Sequence, residues 1–157
     1  MSVEQATSVL EAAGIPFERL THERTETALE EARTLGIAAA VVAKTIVLEA
    51  PEGHVRAVVP AAERLDLRKV RAFLGLTKGT VRLLDEDALA RDYPEFELGA
   101  VPPFGGAHAD RVLVDRRLVA HEQVVLEAGT HEASLRLGIG DLVGLTKAEV
   151  LDLCQDS

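Results

Sequence analysis

The sequence predicts an α+β fold in which helices and hairpin-like strand pairs interleave around a mixed sheet. Three observations carry that expectation. Helically spaced apolar segments, several opened by a capping Asp or Thr and closed by Gly, alternate with short β-rich runs. A turn at Pro51-Glu52-Gly53 joins two of those runs as a hairpin. No linker, low-complexity tract or internal repeat interrupts the 157 residues, so 1–157 reads as a single domain.

Taken in order, Val3, Ala6, Val9, Leu10 and Ala13 fall at helical spacing, with Ser2 and Gln5 as a capping box and Gly14 as the stop. Ile15 to Leu20 reads as a short strand. Thr27 with Glu30 opens a second helix through Ala28, Ala32 and Leu35 that stops at Gly36, and a helical turn follows over 38–42. Thr45 to Ala50 and Val55 to Pro60 form the hairpin. In its second strand Val55, Ala57 and Val59 alternate with His54, Arg56 and Val58, which predicts one exposed face. Asp66 caps a helix with Leu67, Val70 and Leu74 inward, ended by Gly75. Thr80 to Leu84 is a strand, and Asp85 caps a short acidic helix to about Arg91. Strands are expected at Arg111–Asp115, Gln123–Ala128 and Ala133–Leu137, and Thr146 with Glu149 predicts a terminal helix through Leu153.

Apolar residues make up 47% of the chain but aromatic ones only 3%, so Val, Leu, Ile and Ala must build the core. The single cysteine, Cys154, excludes an internal disulfide and a thiolate metal cluster, and it lies in a tail expected to fray. The first residues read as an amphipathic helix rather than a leader, and no run approaches the ~18 apolar residues of a membrane span. A soluble, cytoplasmic protein is expected. The net charge of −9 argues against a broad polyanion-binding surface. Between Arg64 and Arg82, however, Arg64, Arg68, Lys69, Arg71, Lys78 and Arg82 face only Asp66, which suits a local docking contact or a solvated helix face.

Familiar chemistries are missing. His22, His54, His108, His121 and His131 show no paired ligand spacing, so neither metal nor cofactor is expected. There is no P-loop and no G-x-S-x-G elbow. What remains is Lys44 at the head of an apolar strand, the Gly99–Gly106 loop with two prolines, and the turn Ala128-Gly-Thr-His-Glu132. Each alone has an ordinary structural reading: a strand-flanking lysine, a turn, a solvent-facing histidine.

Together and in this order they resemble the YbaK and prolyl-tRNA-synthetase-associated editing superfamily. Ala43-Lys44-Thr45-Ile46-Val47-Leu48 is similar to its lysine-bearing strand, and Ala61 to Val70 to its basic segment leading into a helix. Gly99-Ala-Val-Pro-Pro103-Phe-Gly105 fits its G-x-x-x-P loop, and Ala128 to His131 its late small-residue turn. His22 and the helix after it fit the N-terminal part, so the likeness spans about residues 3 to 153.

The resemblance implies a curved, largely antiparallel sheet of six to seven strands with flanking helices. It also implies hydrolysis of the ester joining a small wrong amino acid, such as alanine, cysteine or serine, to tRNA, with tRNA-Pro as the favoured carrier. That ester is already activated, so positioning, a water and stabilisation of developing charge suffice, and the substrate's own ribose hydroxyl can orient the water. On this reading Lys44, Gly99, Gly105 and His131 are catalytic. His22, Thr45, Pro102, Pro103, Phe104 and Thr130 contact substrate, and Arg64, Arg68, Lys69 and Arg71 contact tRNA. The expected partners are aminoacyl-tRNA and a synthetase, without membrane or metal. The alternatives are a non-catalytic module that binds tRNA or a synthetase, and a hydrolase of another activated ester.

Overall fold

Side-chain caps set where the helices begin. In the computed structural model, which describes residues 3–156, Thr27 Oγ1 accepts the Glu30 amide, Asp66 that of Arg68 and Asp85 that of Ala88. These caps open α2 (Ala28–Leu35), α3 (Leu67–Leu74) and α4 (Glu86–Asp92). Gly36 and Gly75 close α2 and α3 at φ 69 and 71, a left-handed conformation that favours glycine. Helix α1 (Val3–Ala12) lies where helical spacing put it, while Ser2 of its expected capping box is outside the described residues. Gln5, the other half of that box, instead accepts the Gly106 N–H at 3.3 Å.

The strands are β1 (Phe17–Thr21), β2 (Val42–Ala50), β3 (Gly53–Pro60), β4 (Arg82–Leu83), β5 (Arg111–Asp115), β6 (Gln123–Glu127), β7 (Ala133–Gly138) and β8 (Glu149–Leu151). They form one sheet in the order β1-β7-β6-β2-β3-β5-β8, with β4 beside β2. The α+β class and the mixed sheet are as expected. The antiparallel emphasis is not: β2–β6, β3–β5 and β5–β8 are parallel, three of the seven pairings. Long crossovers through helices bring those strands together, which is what parallel neighbours require.

Four local expectations need correcting. Strand β3 has no exposed face, because it lies between β2 and β5 and is packed on both sides; Arg56 is 1% exposed and Val58 fully buried. The Thr146–Glu149 box does not start a helix. It falls where α6 (Ile139–Thr146) ends, and β8 follows, drawn into register beside Leu113–Asp115. Short helix α5 (Arg116–Val119), capped by Asp115, was not foreseen. Finally, Cys154 does not fray: it is buried and bridges Leu65, with its amide fixed to Asp152.

Both faces of the sheet carry a core. One gathers Leu126, Leu135 and Leu137 with Leu10, Phe104 and Leu142; the other gathers Leu48, Ala57 and Val59 with Val70, Leu153 and Cys154. Truncating one of these buried leucines to alanine costs about 2–5 kcal/mol. The rigid element this creates for function is β2, held by β3 along its whole length.

Candidate functional site

The other edge of β2 is shared. β6 pairs with it only at Val42–Val125 and Ala43–Leu126, and β4 takes it up again at Leu48–Leu83. Between them the strands part, and a cavity of about 400 Å³ opens, lined among others by Thr27, Glu31, Lys44, Thr45, Gly99 and Glu127. A larger cavity of about 580 Å³ lies elsewhere, around His54 and His108. Of the residues singled out in the sequence, Lys44, Thr45 and Gly99 line the smaller one.

Lys44 Nζ donates to the Ala61 carbonyl at 3.2 Å and meets no carboxylate partner among the described residues. Burial pushes its ammonium below the usual lysine range. An unpaired, half-buried cation is costly unless something anionic visits it. Gly99 and Val101 line the same cavity, and their amides donate to no protein group among the described residues. Gly99 sits at φ 83, which turns the loop across the cavity mouth.

The floor is acidic, a feature the motif reading missed. Glu31 is fully buried; one of its oxygens accepts from Ser134 Oγ, and the other, Oε1, has no partner among the described residues. Ser134 Oγ is also bonded to His22 Nε2 at 2.8 Å, so His22 reaches the cavity only through the serine. Burial, opposed by the Ser134 bond, pushes the Glu31 carboxyl up to about 7. Glu127 rises to about 8, again through burial and then through the neighbouring Glu31 charge. A sequence signal existed for Glu31: with Ala28, Ala32 and Leu35 it lies on the inward stripe of α2.

His131 lies beneath the cavity, 2% exposed, rather than in it. Its Nε2 is 2.7 Å from the Leu98 carbonyl, which can only accept, so that nitrogen carries a proton and donates. Its Nδ1 is 2.9 Å from Glu127 Oε2, and one proton must lie in that contact. Both nitrogens being engaged, His131, expected to be catalytic, fixes Glu127 and the turn leading into Gly99. Thr130 Oγ1 is likewise committed, donating to Glu97 at 2.6 Å, while Arg24 holds the other Glu97 oxygen at 2.8 Å.

Pro102, Pro103, Phe104 and Gly105 do not line this cavity. They are the anchored part of the loop. Arg56, buried in β3, donates to the carbonyls of Pro102 at 2.9 Å, Gly105 at 2.8 Å and His108 at 3.3 Å, and its Nε pairs with Asp110 at 2.8 Å. Phe104 packs into the core with α1 residues. Gly105, expected to be catalytic, abuts Gln5 and Val9 and lies outside the lining of the Lys44 cavity.

In the basic segment, Lys69 is spent on Asp152 and Asp156, both at 2.8 Å, and Arg68 leans on Asp66 at 3.3 Å. Arg64 and Arg71 form no ion pair among the described residues. Half of the expected docking charge is thus used internally.

A cation without a carboxylate partner, free amides and buried acids thus meet at one cavity on a mixed sheet. The sequence profile of the aminoacyl-tRNA editing domain matches residues 22–145, and the chain belongs to that family. The resemblance carried by the Lys44 strand and the glycine–proline loop is borne out. No curated protein matches the sequence. Among solved structures, a proposed trans-editing enzyme for prolyl-tRNA synthetase is 26% identical, with a TM-score of 0.88 over 98% of this chain and 97% of its own. The hypothetical protein APE2540 is 25% identical, with the same TM-score of 0.88 over 97% of this chain and all (100%) of that one. A proposed signal-transduction protein from Marinobacter aquaeolei shares the fold at 21% identity and TM-score 0.72, matching 96% of this chain but 31% of its own length.

Proposed function

We propose that the chain hydrolyses, in trans, the ester joining a small wrong amino acid to the terminal adenosine of a tRNA, with tRNA-Pro as the first carrier to test. The observation that carries this reading is the meeting of unpaired Lys44 with the free Gly99 and Val101 amides over the Glu31–Glu127 floor. The α-ammonium of the aminoacyl group faces the acids. The amides of Gly99 and Val101 receive the oxyanion as water adds to the carbonyl carbon, and Lys44 holds carbonyl or nucleotide oxygens on the rim. The bond from carbon to the ribose oxygen then breaks, the ribose hydroxyl leaves with a proton, and free amino acid and tRNA result. Ala43, Ala61, Ala100 and Val101 shape the walls, so a small side chain is preferred by excluded volume, at about 1–3 kcal/mol per methylene.

The test is single-turnover deacylation of a panel of labelled aminoacyl-tRNAs by wild type and Lys44→Ala. Selective hydrolysis of one mischarged species, slowed about 10²–10³-fold in the variant as for a lost oxyanion-type donor, supports the reading. Binding without turnover of any species would move the function to a recognition module. Turnover of small free esters indifferent to the tRNA body would indicate another ester hydrolase.

A further inference from the structure

The opposite end of the β2–β3 hairpin gathers a second cluster. His54 is near the start of β3, Asp92 ends α4, and His108 and Asp110 lie in the loop before β5. One donor atom from each of His54, His108 and Asp110 lies within 4.8 Å of the others. Asp92 Oδ2 is 3.6 Å from His54 Nε2, and Tyr93 packs its ring 5.7 Å from His54 and 5.1 Å from His108. The cluster borders the cavity of about 580 Å³. Spacing along the chain gave no hint of it, because His54 and His108 meet only through the β3–β5 pairing.

Hydrogen bonds from neighbouring side chains orient the cluster. Asp110 Oδ2 accepts from Arg56 Nε and from the Tyr93 hydroxyl. The single Tyr93 proton is used there, so its oxygen must accept from His54 Nδ1–H, 3.0 Å away. On the other side of that ring, Nε2 lies 3.6 Å from Asp92 Oδ2, an oxygen that also accepts from Arg91. His108 lies alongside, its ring centre 5.6 Å from that of His54.

We propose that His54, His108 and Asp110, with Asp92 as a fourth ligand, bind a divalent transition metal of the zinc class. Two imidazoles and a carboxylate favour Zn²⁺, Co²⁺ or Ni²⁺ over the all-oxygen preference of Ca²⁺ and Mg²⁺. The outer contacts fit as well. The Tyr93 hydroxyl fixes the His54 tautomer, and Arg56 cancels the charge of Asp110 while orienting it, the usual arrangement behind ligating side chains. Ligands on zinc stand roughly 3.3 Å apart for bonds of 2.0–2.1 Å, so small rotations of the rings close the set. The exposed Arg91, which pairs with Asp92 at 3.0 Å, must swing aside for that carboxylate to ligate.

His54 pairs with Glu49, five residues along β2 from Lys44, which at about 3.3 Å per residue puts the two sites roughly 17 Å apart. The metal would therefore not act on the ester. It would tie β3, α4 and the loop before β5 together, and through Arg56 and Asp110 it would brace the carbonyls of Pro102 and Gly105.

The test uses full-length protein without a polyhistidine tag, stripped with chelator. Co²⁺ titration is followed by visible absorption and Zn²⁺ titration by calorimetry, on wild type, His108→Asn, His54→Gln and Tyr93→Phe. One saturable equivalent is expected, weakened at least ~10-fold in each histidine variant and about 10–100-fold in Tyr93→Phe. Circular dichroism identifies any variant that has unfolded, and His108→Asn, in a loop, is the variant to rely on then. Absence of saturable binding by the wild type overturns the proposal, and so does binding that His108→Asn and His54→Gln leave unchanged.

Discussion

Replacing Glu31 by glutamine should stabilise the protein in a pH-dependent way. Glu31 is fully buried and its carboxyl is raised from the ordinary 4.5 to about 7, because burial outweighs the Ser134 bond. The folded protein therefore holds this proton more tightly than the unfolded chain does. Stability from this group is greatest below pH 4.5, declines as pH rises towards 7, and stays low above it. The displacement corresponds to about 3 kcal/mol at pH 8. Glutamine keeps the shape and the Ser134 contact but never ionises, and without the Glu31 charge Glu127 also ionises more easily. Glu31→Gln should thus match wild type near pH 4.5 and exceed it by roughly 2–3 kcal/mol at pH 8, about 5–10 °C in Tm for a chain of this size. Urea and thermal unfolding at half-unit steps from pH 4.5 to 8 measure the difference. Parallel pH profiles for the two proteins would refute the assignment of a strained acid at the cavity floor. The same substitution should raise KM for an aminoacyl substrate, since a neutral amide is a poorer partner for its ammonium.

Three other outcomes are expected. Arg56→Ala should cost about 3–5 kcal/mol in urea unfolding, because Asp110 and three carbonyls lose their partner, and Arg56→Lys should not restore it, lacking the planar fork; a loss under about 1 kcal/mol would contradict the geometry. Reversing Arg64 and Arg71 to Glu should raise KM for aminoacyl-tRNA with little change in kcat, and the effect should shrink at high salt; an unchanged KM across salt concentrations would remove this surface from tRNA docking. Gly99→Ala should lower kcat in single-turnover assays. Its φ of 83 strains any L side chain by about 1–2 kcal/mol, while the new Cβ would only touch His131 at 3.6 Å, so strain of the loop and not collision is the cause.

Most elements were readable because their signals are local. Thr27, Asp66 and Asp85 cap the helices they precede, and Gly36 and Gly75 end two of them. The failures come where a distant partner overrules a local pattern. Thr146 and Glu149 have capping-box spacing, yet Glu149 to Leu151 is claimed by β5, some 36 residues earlier. Helix α6 was hidden by Gly140 and Gly144, both exposed to open space, where a missing side chain carries no message. For the site, Lys44 and Gly99 were legible through the family's motif. Glu127 was not, because its role depends on β6 reaching α2 and the Gly99 loop. The burial of His131 was not legible: a histidine between strands looks exposed until Leu98 and Glu127 close over it. Lys69 looked free because its partners lie more than eighty residues on.

The hold that Arg56 exerts on the loop from Pro102 to His108 is entirely on carbonyl oxygens. Every amino acid offers the same carbonyl. The path of that segment is therefore held from below by one guanidinium in a central strand, together with Phe104 packed into the core. Residues at the cavity wall, such as Ala100 and Val101, could be exchanged one at a time without the backbone losing its place. The scaffold separates the part that must stay still from the part that can be rewritten.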